Sequence, residues 1–494
     1  VEETLRRFEK PLLIFLLIMA AVLRLQLLTN HGLQNNDFIT WRVMHSGYGD
    51  IVRERLAMNH VPLYFLALRA WTSLAGLSEG AMRMPSVIAG IASVAALWWV
   101  GRMLFGVEVG LLAALAGVWH QLWLNSSFDI RVYGPLMLFT LLAVGGFWRW
   151  HETRQFRHAS VFFVAMALGL GTQLIIISVI VSLLGLWWFS LRAEEPKERR
   201  WVTPALLVSP LLLLTPLIAA WLRVQDKVGD DEWDVPSPGR IYRNLLKVAF
   251  GDYDFMGSTG KAVVRSIGIP LLIATIALAI TWRLRRRWQA GELDARRRTA
   301  LTLLVWVMAL PPVALYLASM KSGSMIGMVR YLSVTTAVAP IAIVAAWWGL
   351  PRLWMRLTGL VLAGGLIGVQ TAFYIAGPGE GIRESMEYLA QENEPGRVAV
   401  SCGSEAVLLA FDFYHVPMPM TKLDRGEEDP DAIRAVCREA LGPEGRRLYL
   451  FCFHESHSPA VEVLSEETPW LQRVAHKQYG EADVYVFDRV TEAP

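Results

Sequence analysis

The chain has 494 residues, 54% of them hydrophobic, and a mean hydropathy of +0.37. A soluble protein of this length would be more polar, and here the apolar residues gather in runs of membrane-crossing length, roughly 17–25 residues each. The net charge of +3 says little by itself, and no nucleic-acid partner is expected.

In chain order, about eleven spans are predicted, near 11–28, 84–101, 108–125, 134–149, 159–171, 173–190, 202–221, 265–282, 299–318, 331–348 and 355–376. The first follows Arg6, Arg7 and Lys10 and lacks a small-residue cleavage site, so it reads as a retained span. Gly169 to Thr172 reads as a tight turn between two spans. Tryptophan pairs such as Trp98-Trp99 and Trp347-Trp348 sit near run ends, where an amphipathic ring meets both lipid and water.

Basic loops set the expected topology. Arg149, Arg154 and Arg157 follow the fourth span, Arg192, Lys197 and Arg200 the sixth, Arg283 to Arg298 the eighth, and Arg352 and Arg356 the tenth. With eleven spans and a cytoplasmic N-terminus, all of these fall on the cytoplasmic side. The loops 29–83 and 222–264 and the tail then lie outside. Two helical pieces in the first loop, near 37–57 and 62–76, are too short to span and read as interfacial helices. The tail, 378–494, alternates strand and helix: Arg397–Ser401 and Arg447–Cys452 as strands, Pro430–Leu441 as a helix. The expectation is a transmembrane domain over 1–377 and a small extracytoplasmic α/β domain over 378–494. Cys402, Cys437 and Cys452 lack a CxxC pattern; one disulfide with a leftover thiol, or three reduced thiols, both fit.

Several polar residues fall on the outer side, and each has an ordinary reading. Asp37 could cap a helix. Asp129 and Arg131 could pair with each other. The acidic run Asp230 to Asp234 could be a solvated loop, and Arg330 could snorkel to headgroups. Together Asp37, His60, Asp129, Arg131, Glu232 and Arg330 suggest more: a carboxylate to deprotonate an acceptor, and cations to stabilise a phosphate leaving group. Arginine suits phosphate because its planar fork bonds two oxygens at once.

The order of these segments resembles the GT-C glycosyltransferases, in particular the bacterial group related to protein O-mannosyltransferases and lipid A aminoarabinose transferases. Asp37 sits where that family carries an Asp-Glu pair, with Phe38 in place of the second acid. Asn59-His60-Val61-Pro62-Leu63-Tyr64 resembles its His-Pro-Pro-Leu-Tyr segment. Arg83-Met84-Pro85-Ser86 resembles the opening of its second span, Asp129-Ile130-Arg131-Val132-Tyr133 its Ala-Arg-x-Tyr motif, and Trp233-x-x-Pro236 its large-loop signature. Arg330-Tyr331 matches a later landmark.

The resemblance implies an inverting transfer of a sugar from a polyprenyl-phosphate-linked donor to a lipid, glycan or protein acceptor, at the outer face of the cytoplasmic membrane. It implies Asp37 as general base. His60, Tyr64, Asp129, Arg131, Tyr133, Glu232, Trp233, Arg330 and Tyr331 become candidates for the donor phosphate or substrate. A divalent cation is left open, since some relatives use one and others do not. Two other readings stand beside this one: a lipid or solute transporter or flippase, and an inactive relative acting as an assembly subunit.

Overall fold

The computed structural model describes residues 2–58, 60–193, 195–197, 200–225, 238–250, 295–322, 329–350, 352–376, 379–402, 405–423, 429–453 and 458–490. Expected sites Glu232 and Trp233 and the expected span 265–282 lie outside these. Two compact units emerge. The first comprises Val1–Gln26, Gly47–Gly76 and Met82–Tyr374; the second comprises Leu27–Ser46, Leu77–Ala81 and Ile375–Pro494.

The first unit is helical. Among the described residues, six helices are long and apolar enough to cross a membrane, and eight if two bent pairs each count as one span. One bent pair joins α6 (Val107–Trp119) to α7 (Gln121–Phe128) at 62°; the other breaks by 56° at Leu214. The expected spans near 134–149 and 159–171 are occupied by α8 (Tyr133–Thr153) and α9 (Phe156–Thr172). The break after α9 falls at Gln173 rather than within 169–172, because the two glycines there continue the helix.

Large apolar side chains of the first helix, α1 (Glu2–Asn30), point outward at Ile14, Phe15, Ile18 and Val22, as lipid requires. Inward, Leu97 and Val100 of α5 (Glu79–Phe105) pack with Val144 and Phe147 of α8 and Phe162 and Met166 of α9. Lipid tails are as apolar as leucine, so such helices associate mainly by close packing. Gly146 shows the need: a Cβ there would stand 2.7 Å from the backbone nitrogen of Phe162.

Arg24 lies within the first span and is fully buried. Its guanidinium donates to Ser127 Oγ at 3.0 Å, the Gly117 carbonyl at 3.1 Å and the Ala20 carbonyl at 3.2 Å. It is a staple between helices, with its donors met by fixed acceptors.

The segment expected to hold two interfacial helices holds three helices: α2 (Asn35–Val43), α3 (Tyr48–Ala57) and α4 (Leu63–Ala75). The piece near 37–57 is split because Gly47, extended at ψ 157°, caps α3.

The second unit carries a five-stranded sheet in the order β2-β1-β3-β5-β4: β1 (Arg397–Ser401), β2 (Met420–Lys422), β3 (Arg447–Phe453), β4 (Leu471–Tyr479) and β5 (Ala482–Arg489). β1 runs parallel to β2 and β3, while β5 is antiparallel to β3 and β4. β3 is central and buried on both faces, which its unbroken apolar run Leu448 to Cys452 requires. The helix Pro430–Leu441 is capped by Asp429 and packs Ile433, Cys437 and Leu441 into the core. All three cysteines are free and buried.

Candidate functional site

In the first unit the site begins where α3 ends. The His60 amide donates to the Arg55 carbonyl at 2.8 Å, closing the turn between α3 and α4. The His60 ring lies 6.0 Å from that of Phe65, and the Arg55 guanidinium lies 4.8 Å from the centroid of the same Phe65 ring. The Arg55 side chain is almost wholly buried and pairs with Glu54 at 3.0 Å.

Burial, and after it the positive charges of Arg131, Arg55 and Arg330, push the His60 imidazolium down to about 3. His60 is therefore a neutral group at physiological pH, acted on by the nearby Arg55 and by two guanidiniums from distant parts of the sequence, Arg131 and Arg330. Tyr133 and Tyr331 join them, their rings 6.3 Å apart and nearly perpendicular, with Arg330 5.8 Å over Tyr331. Asp129, buried at the end of α7, acts on Tyr133 and on Arg330.

The structure thus brings together His60, Asp129, Arg131, Tyr133, Arg330 and Tyr331. It adds Arg55, which the sequence did not single out; its signal was its place one helical turn before His60, a cation on an otherwise buried face. Tyr64 is buried against Phe65 and within 3.4 Å of Ser86 Oγ, so it bridges α4 to α5. Arg83 is buried with its guanidinium 4.9 Å over Phe128. The cluster has more positive than negative groups, and Arg131 and Arg330 are only part-covered. Such an arrangement is suited to an anion with several oxygens.

The same unit contains an apolar cavity of about 380 Å³. Leu112 and Trp119 of α6, Ile343 and Trp347 of the Ser333–Trp348 helix, and Leu360 and Ile367 of the Leu353–Ala376 helix line it.

Asp37 belongs to the second unit. It is not an N-cap: Gln34 is, and Asp37 occupies the third helical position of α2, its Oδ2 accepting the Gln34 amide at 3.1 Å. The side chain is buried. Phe38 points away into an aromatic cluster, 5.9 Å edge-to-face from both Phe413 and Tyr414. Its position is therefore used for packing. Among the described residues no three of His, Cys, Asp and Glu gather closely enough to hold a metal ion.

The family model for dolichyl-phosphate-mannose-protein mannosyltransferases matches residues 59–222. No curated protein sequence matches the chain. Among solved structures, apo ArnT from Cupriavidus metallidurans is 14% identical with a TM-score of 0.55, over 96% of this chain and 97% of that one. The same protein bound to undecaprenyl phosphate is 15% identical with a TM-score of 0.50, at the same coverage. The archaeal oligosaccharyltransferase AglB from Archaeoglobus fulgidus, in complex with an inhibitory peptide and a dolichol-phosphate, is 10% identical with a TM-score of 0.50, over 90% of this chain and 70% of that one. At these identities the likeness is one of fold, and the fold is that of the GT-C glycosyltransferases.

Proposed function

We propose that this chain is an inverting glycosyltransferase that moves a sugar from a polyprenyl-phosphate donor to an acceptor at the outer face of the cytoplasmic membrane. The observation that carries the reading is the cluster in which Arg55, Arg131 and Arg330 act on a neutral, half-buried His60, together with the facing rings of Tyr133 and Tyr331. Three guanidiniums, Arg55 buried and Arg131 and Arg330 part-covered, favour a phosphate whose charge grows as its bond to the sugar breaks. The apolar cavity supports the reading too, since its lining is suited to an isoprenoid chain and to little that is polar.

In this mechanism the acceptor heteroatom attacks the anomeric carbon from the face opposite the phosphate. The bond from that carbon to the phosphate oxygen breaks, and its electron pair stays with the departing polyprenyl phosphate. Asp37 takes the acceptor proton. Arg131 and Arg330 hold the phosphate oxygens, and His60, neutral before the donor enters, adds a hydrogen bond. The eleven-span reading takes each bent pair as one span and adds α8, α9 and the apolar sequence run 265–282 to the six long helices; it puts the basic loops on one side.

A transporter would place ionisable groups along a path within the spans. Among the described residues, Arg24 and Arg83 are buried charges within spans; Arg24 is tied to Ser127 and two carbonyls and Arg83 lies over the Phe128 ring, which favours structural roles. The inactive-subunit reading draws on Phe38 alone.

The test is Asp37→Asn in purified, reconstituted full-length protein, supplied with labelled undecaprenyl-phosphate sugars and native membrane extract, with products read by mass spectrometry. Asparagine fills the same volume, so the variant should insert and melt like the wild type while transfer falls at least 100-fold, within the usual contribution of a general base. Full transfer by the variant removes Asp37 as the base.

A further inference from the structure

The loop that leads into α2 is held by residues near the other end of the sequence, all within the second unit. Tyr414 Oη accepts the Leu33 amide at 3.2 Å. Glu380 Oε2 accepts the amide of Asn35, the first residue of α2, at 2.7 Å. Arg383 donates to the His31 carbonyl at 3.1 Å. Gly32 lies so close to Arg383 that a Cβ on it would stand 2.6 Å from the Arg383 Cβ.

These contacts are themselves braced. Tyr414 donates its hydroxyl proton to Glu79 Oε1 at 2.6 Å, and Arg383 forms an ion pair with the same carboxylate. Burial and the Glu79 charge hold the Tyr414 phenol well above its ordinary range, so it keeps the proton it donates. Below the loop, Phe38 and Trp41 rest on Phe413, with Trp41 at 5.4 Å. The backbone from 31 to 38 is thus fixed at three polar points and one aromatic face. Asp37 sits at the end of that fixed stretch, tied to Gln34 by its own carboxylate.

We infer that Tyr414 is a positioning residue for Asp37, and that the α/β domain serves the reaction by holding the loop of the base through Tyr414, Glu380 and Arg383. The inference rests on Asp37 acting as the base. It also accounts for Phe38: the residue beside the base is an anchor for the domain that orients it. Correct placement matters because small displacements of a reacting group lower rate on the order of tenfold to a hundredfold.

Tyr414→Phe removes one oxygen and leaves the ring against Phe38. In full-length reconstituted protein, amide hydrogen exchange of the 31–38 segment should accelerate at least tenfold, with the 84–101 and 447–453 segments unchanged. In the labelled undecaprenyl-phosphate sugar assay, kcat should fall tenfold or more while the donor KM stays within twofold. The double variant Asp37→Asn, Tyr414→Phe should be no slower than Asp37→Asn alone, because both act on one step. Unchanged exchange in 31–38 overturns the inference without any assay of transfer. Unchanged kcat in Tyr414→Phe, where Asp37→Asn is inactive, overturns it and leaves the base in place; transfer by Asp37→Asn instead overturns the reading beneath it.

Discussion

His60 is the residue whose chemistry departs furthest from habit. A histidine among phosphate-binding arginines reads in a sequence as one more cation. Here burial and three guanidiniums keep it neutral, with its ionisation pushed down to about 3. The ordinary value is about 6.5, so the unfolded chain binds a proton between these limits that the folded chain does not. His60 accordingly removes stability as pH falls from about 6.5 toward 3, and has no such effect above. A lipid phosphate entering the cluster would offset the arginine field and raise the imidazole's affinity for a proton. Donor binding at pH 6 should therefore take up protons. Titration calorimetry in two buffers of different ionisation enthalpy would detect the uptake, and it should vanish in His60→Gln. Equal apparent enthalpies in both buffers for the wild type would show that His60 stays neutral throughout. The sequence made His60, Arg131, Tyr133 and Arg330 legible because their order follows a known pattern. Arg55 carries no motif; only the folded turn that joins its carbonyl to the His60 amide brings it in.

At the scale of elements, what was legible followed burial. β1 and β3 could be read because each is an apolar run, and the Pro430–Leu441 helix because its apolar positions recur every three or four residues. β4 could not, since it is an edge strand whose residues are mostly exposed and do not alternate. The helix Glu405–Phe413 was missed because its apolar run has no helical period of its own, yet it carries the face on which α2 rests. The ends of the spans held another surprise. Glu195, nearly fully buried, accepts from Arg154 at 2.5 Å, Thr203 at 2.6 Å and Trp187 at 2.9 Å, joining three helical ends on the side of the basic loops. The hydrogen bonds from Thr203, Trp187 and Arg154 outweigh desolvation and hold its carboxyl below the usual range. Glu195→Ala leaves those donors without their acceptor. With Arg154 about a third exposed and screened, the expected loss is about 1–3 kcal/mol, measurable as a lower unfolding midpoint in detergent. An unchanged midpoint would mean that water replaces the carboxylate fully.

At the scale of the whole molecule, composition divided the chain once, at 377. Contacts draw two further segments, Leu27–Ser46 and Leu77–Ala81, together with the α/β fold. No reading of local composition could find this, because the attraction lies in a tyrosine, a glutamate and an arginine whose partners are hundreds of residues away. A chain ending at 377 would leave Phe38 and Trp41 without their aromatic partners and Leu33 and Asn35 without acceptors. Such a truncation should insert into membranes, lose all transfer, and show protease cleavage within 29–46 that the longer chain resists. Resistance equal to the longer chain's would show that the loop orders itself.

The span between Leu33 and Tyr414 also has a meaning in time. They are 381 residues apart, and the earlier one leaves the ribosome first. At synthesis rates of about 5–20 residues per second, roughly 20 to 80 s separate them. Through that interval Asp37 has been made and carried to its place, but the tyrosine that fixes its loop does not yet exist. On the proposed role of Asp37, a chain that ends before Tyr414 has the base but lacks the hydroxyl that holds its loop.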